Sequence, residues 1–122
     1  MERVGFTEHK GGRILHVDLS GLKDPDEIVA VLGQARQVID SQPPKSLLLL
    51  TNCLDTRYEA RGAEAVKAYS RANTPFIRAS AVTGVVGIKK ILLTAIVKLT
   101  GRNIKACDTV EQALDWLAGQ EQ

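Results

Sequence analysis

The sequence predicts an α/β protein: a mostly parallel sheet of about five strands with an N-terminal antiparallel strand, and about four helices packed on it. Two observations carry this prediction. From residue 24 onward, apolar runs of strand length alternate with segments of helical periodicity. Within that alternation, Ser46-Leu-Leu-Leu-Leu-Thr51 is continuously apolar, the pattern of a strand buried on both faces of a parallel sheet.

The elements follow in order. Residues 3–8 and 13–19 read as strands, with His9-Lys10-Gly11-Gly12 as the turn between them, because Gly-Gly tolerates positive φ. Ile14, Leu15, Val17 and Leu19 give the second strand a half-buried character. Asp24-Pro25-Asp26-Glu27 opens a helix, with Asp as N-cap, Pro at the first helical position and Glu at the third. Its inward face is Ile28, Val31, Leu32, Ala35, Val38 and Ile39, and Gln42-Pro43-Pro44 ends it. After the 46–51 strand, Thr56-Arg57-Tyr58-Glu59 reads as a capping box for an alanine-rich helix to about residue 72. Phe76 to Val82 reads as a strand, Gly84 to Thr100 as a helix closed by Gly101, and Asn103 to Cys107 as a short strand. Asp108-Thr109-Val110-Glu111 opens a last helix, with Val110, Ala113, Leu114 and Leu117 facing inward.

Composition bounds the function. A chain of 122 residues is expected to form one domain, 1–122, large enough for a core without staples. Hydrophobic residues at 44% and charged residues at 25% argue against disorder, and 4% aromatics require an aliphatic core. A net charge of +2 is too small to mark a nucleic-acid binder. The charge is unevenly spread: Arg78, Lys89, Lys90, Lys98, Arg102 and Lys105 face no acidic residue between 78 and 105. Cys53 and Cys107 lie far apart, outside CxxC or zinc spacing, and read as small hydrophobes in a reducing cytoplasm. The N-terminus is too polar for a signal peptide, so a cytoplasmic location is expected. No membrane span is expected: after Lys90, Ile91–Val97 is an uncharged run of only 7 residues, against the roughly 20 that a bilayer requires.

The segment from residue 84 to 100 is the most informative. On a helical template Ile88, Ile91, Leu92, Ala95, Ile96 and Leu99 form one face, expected to cover the sheet. Val86, Leu93 and Val97 fall off that stripe, so the helix is apolar over a wider arc than usual. Three uses remain open for the excess: cover by another helix, a dimer interface, or a face for a lipid-like ligand or a membrane surface beside Lys89 and Lys90. Gly84-Val-Val-Gly87 lacks the spacing of a phosphate-binding loop and reads as a helix start.

Catalytic constellations are missing from the pattern. His9 and His16 have no nucleophile or acid at motif spacing, and there is no HExxH, GxSxG or metal-ligand cluster. Asp18 and Asp55 read as caps or loop anchors. The expectation is a non-enzymatic protein without cofactor or metal.

The element order resembles the STAS fold of anti-sigma-factor antagonists, the SpoIIAA-like group. Val82-Thr-Gly-Val-Val-Gly-Ile-Lys-Lys90, Thr100-Gly-Arg-Asn103 and Asp108-Thr-Val-Glu-Gln-Ala-Leu-Asp-Trp-Leu117 are similar to its bacterial STAS/SEC14-type branch, which is largely uncharacterised. The resemblance implies binding of nonpolar molecules, and the two-faced helix fits it: Val86, Leu93 and Val97 would contact an apolar tail, and Lys89 or Lys90 an anionic head. The other branch of the group acts by phosphorylation at a helix start. Its Asp-Ser-Ser-Gly-type switch corresponds to Asp55-Thr56-Arg57-Tyr58 here, which makes Thr56 the candidate phospho-switch. Arg57 and Tyr58 depart from that pattern, and Thr56 as an N-cap explains the residue without a switch. The partners expected are therefore a second copy of the chain, a nonpolar small molecule, and a regulatory protein.

Overall fold

The computed structural model describes residues 2–120. Strand β1 (Val4–His9) pairs antiparallel with β2 (Gly12–Asp18). The turn residues are Lys10 and Gly11, at φ 50° and 84°, the doubly positive pair whose twist suits a hairpin. Gly12 belongs to β2 instead, and a Cβ there would lie 3.2 Å from Ala118 Cα. Helix α1 (Pro25–Ile39) follows, and the Asp24 carboxylate accepts from Asp26 N as the sequence predicts. Then come β3 (Leu47–Asn52), α2 (Ala60–Asn73), a 3-10 turn (Thr74–Phe76), β4 (Ile77–Thr83), α3 (Lys89–Thr100), β5 (Ile104–Cys107) and α4 (Val110–Ala118).

The five strands lie in the order β1-β2-β3-β4-β5, and all pairs after the hairpin are parallel. Right-handed crossovers that always advance in one direction place their helices on one face. Accordingly Leu15, Val17, Leu47 and Leu49 pack with Ile28, Leu32, Ala35, Ile39 and Tyr69 of α1 and α2. The opposite face, Ile14, Leu48, Leu50 and Ala81, packs with Ala113 and Leu117 of α4. The alternation along β3 explains its unbroken leucine run, since both faces are covered. Leu15 and Val17 face one core and Ile14 the other, so the apolar residues of β2 are buried on both faces while Arg13 stays exposed.

Two element starts differ from the sequence reading. Helix α2 begins at Ala60, with Glu59 as an N-cap that makes no side-chain bond. The expected capping box at Thr56 does not form, because Thr56 turns inward. Its Oγ1 donates to Leu19 O at 2.6 Å, and Arg57 N donates to Leu22 O at 3.0 Å. The segment is thereby tied to the loop after β2.

Helix α3 begins at Lys89 rather than Gly84. Gly84 and Gly87 both hold positive φ, 73° and 60°, which interrupts helical winding. Gly84 also lies against the loop after β3, where a Cβ would be 2.5 Å from Leu54 Cα.

The face of α3 is also corrected. Ile88 (79% exposed), Ile91 (70%) and Leu99 (42%) lie open instead of covering the sheet. Leu92, Leu93 and Ile96 turn inward, and Ile96 is the buried residue of the helix. The expected and observed inner faces share Leu92 and Ile96, so periodicity alone leaves the rotation of this helix undecided. Its anchoring decides it: Lys89 Nζ donates to Cys53 O at 2.6 Å, which turns that side of the helix toward the sheet.

Candidate functional site

Between α2, α3 and the sheet lies a cavity of about 60 Å³. Leu49 and Val82 form its floor, Val66 and Tyr69 one wall, and Leu92, Leu93 and Ile96 its roof. Most of this lining is aliphatic, which suits an apolar occupant.

Polar groups stand at several points. Cys53, Tyr58 and Lys89 line the cavity and bond one another: Tyr58 Oη contacts Cys53 Sγ at 3.3 Å, and Lys89 Nζ is held by the Cys53 carbonyl. Burial pushes the Cys53 thiol up from its ordinary value, the Tyr58 hydroxyl beside it partly opposing, so the thiol stays protonated. Tyr58 is raised likewise by burial.

Tyr69, Ser80 and Arg102 also line the cavity. Tyr69 Oη, Ser80 Oγ and Arg102 Nε and Nη1 are buried without a hydrogen-bond partner among the described residues. Burial raises the Tyr69 phenol, with the Asn73 amide and the Arg102 charge pulling the other way. Burial lowers the Arg102 guanidinium, opposed by Tyr69. Ser80 enters from β4, where it pairs with Ile104, and Arg102 from the link between α3 and β5. Both residues also line a surface hollow on the outer side, together with Lys45 and Arg78.

The five ligand residues expected from the sequence separate. Lys89 and Leu93 line the cavity. Val86 is 66% exposed and borders an open groove against the start of α2, with Tyr58, Ala63, Ile88 and Ile91. Lys90 is exposed, and Val97 is half-buried away from both hollows. Thr56 is 5% exposed, its hydroxyl engaged with Leu19 O. The amides of Lys89, Lys90 and Ile91 donate to the carbonyls of Val86, Gly87 and Ile88, so this helix start spends three N–H groups internally. Tyr69, Ser80 and Arg102 were not singled out by sequence. Their only signal is Arg102 itself, a cation between a helix-capping glycine and a short strand.

Elsewhere, His9, Glu111 and Asp115 gather on the surface around a 2.6 Å His9 Nε2 to Asp115 Oδ1 contact. Lys10 Nζ also pairs with Asp115, at 2.9 Å. Among the described residues, no helix is long and apolar enough to cross a membrane.

The architecture is similar to that of an uncharacterised protein of the DUF3478 family with a SpoIIAA-like fold from Shewanella loihica PV-4. The TM-score is 0.73 at 12% identity, over 93% of this chain and 91% of that one. The chain therefore has a SpoIIAA-like α/β fold, as the element order and the quoted motifs led one to expect. No family model matches the sequence. No curated protein matches it either.

Proposed function

We propose that this is a non-enzymatic binding protein that carries or senses a small nonpolar or amphipathic molecule between α2, α3 and the sheet. The observation that carries this reading is the apolar cavity under α3, a helix with a single buried residue. A helix so lightly anchored is suited to opening and reclosing over a ligand. Volume limits the occupant. At roughly 15 Å³ per water-sized site, the cavity takes about four such sites, a ligand of a few heavy atoms. A long acyl chain would require α3 to lift. The two reactive-looking groups nearby support binding rather than catalysis: Cys53 is a protonated thiol and Lys89 is bonded to a carbonyl. Native mass spectrometry of protein purified from two hosts tests the proposal. It expects excess mass that organic extraction removes; a bare mass from both hosts, with no uptake of added small apolar probes, overturns it.

A second reading, a regulatory protein-interaction module, is favoured by the open apolar stripe of Val86, Ile88 and Ile91 beside the start of α2. The same stripe would serve a homodimer. A phospho-switch at Thr56 would first have to break the bond to Leu19 O and open that loop. Phosphate on Thr56 in the native cell, with loss of a bound protein in Thr56→Asp, supports this reading; an unmodified Thr56 under all growth conditions counts against the switch.

A further inference from the structure

We propose that Arg102, Tyr69 and Ser80 form a carboxylate site at one side of this cavity, and that the ligand is a short-chain carboxylic acid whose hydrocarbon body lies under α3. This inference rests on the binding reading above and adds the chemistry of the ligand.

Arg102 is half-buried, and guanidinium donors shut away without a partner are costly, because their desolvation is offset only by an anion or by well-placed acceptors. None of the ion pairs among the described residues involves Arg102. Its Nε and Nη1 are both buried and unbonded. Nε–H and the Nη1 amino group point to different sides of the guanidinium, so each offers its own charge-assisted hydrogen bond to an anion.

Ser80, 3% exposed, carries an unbonded hydroxyl in the lining of the same cavity, and Tyr69, 7% exposed, brings a phenol whose near neighbour is the Asn73 amide. Hydroxyls donate to carboxylate oxygens and complete the shell that the guanidinium begins. One cation and two neutral donors match a single negative charge. A phosphate dianion would leave a net charge buried.

Arg102 and Ser80 separate the cavity from the surface hollow lined by Lys45 and Arg78, so an anion approaching there meets positive charge. Beyond the head, Val66, Leu92, Leu93 and Ile96 offer only hydrocarbon. About four water-sized sites accommodate a body of roughly three to five carbons, beyond which α3 must move.

The test is equilibrium titration of the wild-type chain with isobutyrate and hexanoate, each against its neutral amide. The acids should bind about tenfold or more tightly than the amides, because the amide lacks the charge that Arg102 faces. In Arg102→Gln that preference should vanish while amide affinity stays within about threefold; Arg102→Lys should restore part of it. Tyr69→Phe should weaken acid binding about threefold or more and leave the amides unchanged. If the wild-type chain takes acids and amides equally, the carboxylate site is wrong and the apolar-binding reading stands. If it takes neither, both fall. The wild-type comparison decides the matter even if an Arg102 variant fails to fold.

Discussion

Lys89 Nζ reaches the main-chain carbonyl of Cys53 at 2.6 Å, joining the first residue of α3 to the loop that leaves β3. The rest of the helix has only Ile96 fully buried, so this bond is a principal tether. Lys89→Met keeps the aliphatic stem and removes the donor. It is expected to cost about 1–2 kcal/mol in urea unfolding. Amide exchange should accelerate along α3 before it does so in the sheet.

Gly84 and Gly87 separate two effects of a side chain. Both hold positive φ, but only Gly84 meets backbone, 2.5 Å from Leu54 Cα, while Gly87 has open space. Gly87→Ala is expected to cost about 1 kcal/mol, the price of the left-handed conformation alone. Gly84→Ala should cost about 3 kcal/mol or more, because the loop after β3 must move. Equal midpoint shifts in denaturant would show that the close approach is unimportant.

The open stripe of α3 gives a contrast with its inner face. Ile91→Lys should leave stability within about 0.5 kcal/mol, while Ile96→Ala should cost about 2–4 kcal/mol. If the chain is a dimer through this stripe, Ile91→Lys yields a monomer by light scattering. Leu93→Lys is no test of that interface, because Leu93 lines the cavity.

His16 supplies a pH dependence. Its Nε2 is buried and unbonded, and burial lowers its pKa below the ordinary 6.5, with Asp18 opposing. The unfolded chain therefore binds a proton more readily than the folded one. The stability linked to this group is complete above 6.5 and declines as pH falls below it. His16→Asn should flatten the stability profile between about pH 7 and 5. An unchanged slope there would remove His16 as its source.

Much of this architecture was legible in the chain. Asp24-Pro25 announced α1 because the cap and the restricted φ are local. The leucine run of β3 announced a doubly covered strand because both cores draw on it. What failed was non-local. Thr56-x-x-Glu has the letters of a capping box, but the Leu19 carbonyl competes for the threonine hydroxyl across a long stretch of sequence. The rotation of α3 was hidden because two apolar stripes share Leu92 and Ile96, and the deciding contact comes from the Cys53 carbonyl. The site suffered most. Lys89 and Leu93 were named from that helix, but Tyr69, Ser80 and Arg102 come from three different elements and meet only in the fold.

The most direct test of the binding claim is a methyl NMR titration of the wild-type chain with isobutyrate. The account expects saturable shifts at Val66, Leu92, Leu93 and Ile96, the residues around the cavity, with Ile88 and Ile91 unmoved. Shifts confined to Ile88 and Ile91, or none at any concentration, would contradict it.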